Sequence, residues 1–124
     1  RMPIAWKLDS DRPIYTQLLE QIQMRIVSGQ YPAGYRLPSV RELAAEAGVN
    51  PNTMQKALAE LEQRGLLRSQ RTAGRYVTED AEFIRRIRQT LAREALTCFF
   101  RNMRHLGYEE TEILSFLKAA CEED

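Results

Sequence analysis

Residues 39–65, "SVRELAAEAGVNPNTMQKALAELEQRG", constrain the fold most, because they close one helix and open another within three residues. Ser39 and Glu42 have the spacing of a capping box, each able to satisfy a free amide of a first helical turn. Val40, Leu43, Ala44 and Ala47 then fall at i, i+3, i+4 and i+7, and Gly48 supplies a left-handed stop. Asn50 is a favoured N-cap. Pro51 would break a helix interior, but at the first helical position its missing N–H is no loss and its fixed φ is already helical. Met54, Ala57, Leu58 and Leu61 form the inward stripe of this next helix, which ends at Gly65. Two helices joined through "GVN" have the spacing of a helix-turn-helix, with small Ala44 at the crossing and Val49 as an apolar plug.

The flanks add a helix before this unit and a hairpin after it. Ile14, Leu18, Ile22 and Ile26 share one stripe, which predicts a helix over roughly 13–28 with Pro13 near its start and Gly29 as its stop. "QYPAGYR" follows as a turn-rich link. Beyond Gly65, "LLRSQR" and "RYVT" flank a glycine-containing tip, so a hairpin or wing is expected, with Arg71 and Arg75 at its tip facing phosphate or a minor groove. The fold class is therefore mainly α with a small β-hairpin: a winged helix-turn-helix over 1–78 and a helical segment over 79–124.

In that second segment, Ile84, Ile87, Leu91, Ala95 and Cys98 line one side of a long helix. Leu96, Phe99, Phe100, Met103 and Leu106 carry the apolar surface round to another. After Gly107 a shorter helix brings Ile113, Leu117 and Ala120 inward, with Leu114 and Phe116 flanking. A helical pair of this size encloses no core of its own, so a second copy of the chain is the expected cover and these residues the expected dimer contact.

Composition bounds the partners. The net charge of +1 divides into +4 over residues 1–78 and −3 over 79–124, which suits a polyanion at the front. No apolar run is long enough to span a membrane and no secretion signal is read at the start, so a cytoplasmic setting is expected. Cys98 and Cys121 sit apart from any CxxC or Cys/His cluster and are expected to be buried free thiols. Cys98 and His105 are the one pair with metal-binding chemistry, and they lack a third and fourth ligand. No cofactor or metal is implied.

Residues 29–67 resemble the N-terminal domain of GntR-family transcription regulators. The pattern of a glycine, then G-x-x-LPS-x-R-x-LA, then a glycine turn recurs here as Gly34, Leu37, Pro38, Ser39, Arg41, Leu43, Ala44 and Gly48. "PIYTQL" and "NPNTMQKAL" look like the YtrA subfamily, whose C-terminal part is a short pair of helices. The resemblance implies a homodimeric DNA-binding regulator, a repressor, on a near-palindromic operator, often of an operon with an ABC transporter. It gives Arg41 a backbone or base-edge contact and makes Asn52, Thr53 and Gln55 the base-reading candidates, with Lys56 on phosphate. Chemistry points the same way: Asn and Gln can pair bidentately with adenine, and Thr can meet a thymine methyl. Arg36, Ser39, Asn50, Arg71, Thr72, Gly74 and Arg75 complete the expected DNA-facing set. Thr72 stands where the family's wing has its first glycine, which narrows the backbone there.

Three functional readings compete on these residues. A sequence-specific regulator uses both the basic front and the apolar back. A protein-binding winged helix without DNA function would leave Arg36, Arg41, Lys56, Arg68, Arg71 and Arg75 as solvated surface. An enzyme lacks support, since the single His105 has no paired carboxylates or nucleophile beside it. A small-molecule effector would find room only in a cavity at the dimer interface.

Overall fold

A computed structural model describes residues 5–71 and 74–123. The chain forms α1 (Ile14–Val27), α2 (Val40–Ala47), α3 (Pro51–Gln63), β1 (Leu67–Gln70), β2 (Gly74–Val77), α4 (Ala81–His105) and α5 (Glu110–Glu123). It divides into two compact units, the first ending at Arg88 and the second beginning at Gln89. That division falls inside α4, ten residues beyond the expected boundary at 78. The first turns of α4 belong to the first unit because Ile84 is buried there and Arg88 Nη1 donates to the Val27 carbonyl at 3.2 Å.

In the first unit, the helix boundaries follow the caps. Glu42 N–H donates to Ser39 Oγ at 3.1 Å and Ser39 N–H to Glu42 Oε1 at 3.0 Å, closing the capping box of α2. Gly48 takes φ +70°, and the Val49 and Gly48 amides return to the carbonyls of Ala44 and Ala45, so the last turn of α2 is satisfied. Asn50 Oδ1 then accepts from the Asn52 amide at 2.7 Å, with Pro51 as the first residue of α3. The core is centred on α3: Met54, Ala57, Leu58 and Leu61 are buried against Leu18, Ile22 and Ile26 of α1, Leu43 and Ala44 of α2, and Leu66 and Leu67 at the hairpin. Leu18, Ile22 and Leu43 are wholly buried, each contributing about 1.5–3 kcal/mol by leaving water.

The hairpin is antiparallel, pairing Leu67 with Val77, Arg68 with Tyr76, Ser69 with Arg75 and Gln70 with Gly74. Its other edge is not bare. Arg36 bridges Tyr76, the Val77 amide donates to the Tyr35 carbonyl at 2.8 Å and the Leu37 amide to the Arg75 carbonyl at 3.0 Å. The turn-rich link before α2 therefore lies along β2 through an isolated bridge and covers part of its edge.

The segment before α1 is held by glutamines. Gln17, on α1 and 1% exposed, accepts from the Asp9 amide at 2.7 Å and donates to the carbonyls of Asp9 (2.7 Å) and Arg12 (2.8 Å). One turn on, Gln21 makes the same two-way pairing with the backbone of Lys7. A primary amide matches the donor–acceptor pattern of a peptide group, so these two side chains pair with the segment much as a strand would. Trp6 ends up over the buried Arg25 guanidinium, 3.7 Å from it.

The second unit consists of the remainder of α4, the turn at Gly107 (φ +98°) and α5. Tyr108 packs edge-on against Phe116, and the Glu109 amide donates to Glu112 Oε1 at 2.9 Å, capping α5. Among the described residues of this unit only Ile113 is buried, while Leu96, Leu106, Leu114 and Phe116 are 51%, 73%, 53% and 48% exposed. Ile87, Leu91, Phe99, Phe100, Met103 and Leu117 are half-buried and Ala95 is exposed. Ile84 and Ile113, named among the expected dimer contacts, are already buried within the single chain. Cys98 and Cys121 are free as expected but exposed rather than buried, because two helices alone leave most of their surface in solvent.

Candidate nucleic-acid interface

The front of α3 projects from the capped turn. The cap fixes the first turn with Asn52, Gln55 and Lys56 exposed, Thr53 half-buried and Met54 anchored in the core. Asn50 spends its side-chain oxygen on the cap, which leaves its amino group as a donor. Arg41, on the exposed side of α2, and Arg71, at the end of β1, stand clear of the core with Lys56. Among the described residues none of the three has a carboxylate within ion-pair distance. Exposed cations without a carboxylate partner, and the free amides of a helix start, are each groups that attract phosphate.

A cleft of about 680 Å³ is lined by Arg36, Ser39, Glu42, Leu58, Gly74 and Arg75. The Ser39 hydroxyl accepts the α2 cap bond from the Glu42 amide. That same cap holds the Glu42 carboxyl below the usual carboxylate range, through the Ser39 backbone first and its hydroxyl second. Gly74 has φ +88°, a conformation that favours glycine, while a Cβ there would make only ordinary contact with Arg36 Nε at 3.6 Å.

Arg75 departs from expectation. It lies within β2 rather than at the tip, and its side chain is 17% exposed. Its Nε donates to Glu62 Oε1 at 3.1 Å and its Nη1 to Gln55 Oε1 at 3.2 Å, while Ser69 Oγ donates to the same Glu62 oxygen at 2.7 Å. The Ser69 hydroxyl, and after it Arg75, hold the Glu62 carboxyl below its usual range against a partial burial that works the other way. The wing is thus tied to α3 through four side chains. Their signal was present in the sequence: Gln55 and Glu62 are seven apart, hence on one helical face, and Ser69 and Arg75 become cross-strand neighbours once the hairpin register is known. Arg68 is engaged as well, 3.8 Å from Glu79 Oε2 and over the Tyr76 ring. Thr72 lies outside the described residues.

No grouping of three or more His, Cys, Asp or Glu suited to a metal occurs among the described residues, and no helix there is long and apolar enough to cross a membrane.

A capped helix pair joined by a tight glycine turn, followed by a hairpin braced on the second helix, is a winged helix-turn-helix, the architecture of a DNA-binding transcription regulator. Residues 14–77 match the family described as bacterial regulatory proteins, gntR family. Among relatives, the HTH-type transcriptional regulator YhcF of Bacillus subtilis is 37% identical over 94% of this chain and 96% of its own length. The HTH-type transcriptional repressor YtrA of the same organism is 34% identical over 88% of this chain and 85% of its own. A GntR family transcriptional regulator from Listeria monocytogenes superposes with a TM-score of 0.86 at 38% identity, covering 90% of this chain and 98% of that one. The DNA-binding domain of AraR, solved in complex with operator ORX1, covers 54% of this chain and 81% of its own at 33% identity and a TM-score of 0.52. The chain belongs to the GntR family, within its YtrA type, and is a DNA-binding transcription regulator rather than an enzyme.

Proposed function

We propose that the chain is a homodimeric repressor that reads a near-palindromic operator with the front of α3. The observation that carries this reading is the capped start of α3, which exposes Asn52, Gln55 and Lys56, in a unit where Arg41 and Arg71 are also exposed and have no ion-pair partner among the described residues. Asn52, Thr53 and Gln55 meet base edges; Arg36, Ser39, Arg41, Asn50, Lys56 and Arg71 hold phosphates; and Gly74 lets the wing approach. Repression accords with the relative YtrA, a transcriptional repressor. A transporter operon is the target that the subfamily resemblance implies, and the cytoplasm is where such a regulator meets its DNA.

The second copy covers Leu96, Leu106, Leu114 and Phe116, with Phe99, Phe100, Met103 and Leu117 at the edges. Large apolar side chains so exposed on a short helical pair are costly in water, and a two-fold partner buries the same patch twice. Two recognition helices then face half-sites about 34 Å apart, one turn of DNA. Selection of bound duplexes from random DNA, together with sedimentation of the free protein, tests the reading. A dimer selecting an inverted repeat is expected; a monomer, or binding without sequence preference at moderate salt, would overturn it.

A further inference from the structure

Gln55 does not face the DNA side alone. Its Oε1 already accepts from Arg75 Nη1, and that guanidinium is in turn held by Glu62, itself fixed by Ser69. The arrangement has consequences for what Gln55 can recognise. Bidentate reading of adenine needs the amide oxygen to accept from the N6 amino group while the amide nitrogen donates to N7. Arg75 takes one lone pair of that oxygen, and the positive guanidinium beside it disfavours a second donor there, so the group turned to a base is the Nε2 amino group with its two N–H bonds. Two N–H bonds in that place suit a base edge made of acceptors. Guanine offers two neighbouring acceptors in the major groove, N7 and O6, whereas thymine offers only O4 beside its methyl group, and adenine and cytosine each present an amino group that would meet donor with donor.

We infer that Arg75 is a specificity-determining residue, which acts through Gln55 to turn an adenine-reading amide into a reader of guanine. Arg75 is held off the base by its ties to Glu62 and Gln55, so it sets the orientation of Gln55 and adds positive potential without leaving β2. The inference rests on the proposal that the front of α3 reads bases.

Selection from random duplex DNA is carried out with the whole chain and with its Arg75→Met and Gln55→Ala variants, the methionine keeping length and removing every donor. The wild-type protein is expected to select a guanine at one position in each half-site. Gln55→Ala erases that preference, and Arg75→Met moves it at least tenfold toward adenine while the other selected positions stay as they were. A wild-type adenine at the position that Gln55→Ala erases would overturn the inference, as would an Arg75→Met protein that keeps its guanine. Should Arg75→Met fail to fold, the Gln55→Ala selection decides alone: loss of a guanine supports the inference and loss of an adenine overturns it. A wild-type protein that selects no sequence would instead remove the reading beneath it.

Discussion

Replacing Gln17 with alanine isolates what the N-terminal segment contributes to the fold. The Gln17 amide is 1% exposed and makes three hydrogen bonds to the backbone of Asp9 and Arg12. Each such bond is worth about 1 kcal/mol net, and a backbone group left partly buried without a partner adds a further penalty, so the loss should be about 2–4 kcal/mol. For a unit of this size that corresponds to a fall in Tm of roughly 10–20 °C. Urea unfolding followed by far-UV circular dichroism gives the stability. The fluorescence of Trp6, the one tryptophan, reports whether the segment lets go before the core does, because its ring rests on Arg25. Gln17→Glu is the companion variant: a carboxylate placed against two carbonyls should destabilise at neutral pH and recover in part on acidification, as the carboxyl gains a donor. A change below about 0.5 kcal/mol in both variants would refute the clamp, since it would mean that water replaces all three bonds without cost.

The remaining predictions concern the turn, the wing and the second unit. Gly48→Ala should cost about 1 kcal/mol in urea unfolding through its φ of +70° alone, because a Cβ there meets nothing within 4 Å; Gly48→Asn should cost less. The folded Glu62 carboxyl sits below its unfolded value, so its contribution is complete above the ordinary carboxylate pKa and is lost as pH falls through the lower folded one. Nitrogen-detected NMR of the Arg75 guanidinium should therefore show the tie intact at pH 5 and released only in stronger acid, and Glu62→Gln should abolish that transition. Leu106→Asp combined with Leu114→Asp should give a monomer on sedimentation while leaving the helicity of the first unit unchanged; a persistent dimer would place the interface elsewhere.

Local signals that act within a few residues were readable from the chain alone. The Ser39–Glu42 box, the Gly48 stop, the Asn50 cap and Pro51 at the first position each depend on neighbours in sequence, and each fell where the structure has it. Features set by register were not readable. Arg75 looked like a tip residue until the pairing with Ser69 put it in β2 facing α3, and nothing local says that Arg36 would bridge Tyr76. Gln17 carries no local signal of its role, because its partners are backbone groups of a segment whose path no periodicity reveals. The two cysteines were misjudged for a related reason: residue type suggested burial, but a two-helix unit has little interior to offer.

The central claim is that the capped start of α3 reads bases. The affinity of the wild-type chain and of Asn52→Ala for the selected duplex, each relative to a scrambled duplex at the same salt, tests it most directly. Asn52 is exposed, and its backbone amide, not its side chain, takes part in the cap, so the substitution leaves the helix start intact. The account predicts a fall of roughly 5–150-fold on the selected duplex, the equivalent of about 1–3 kcal/mol for one base contact, with binding to the scrambled duplex unchanged. An equal loss on both duplexes would contradict it, since Asn52 would then hold only the phosphate backbone.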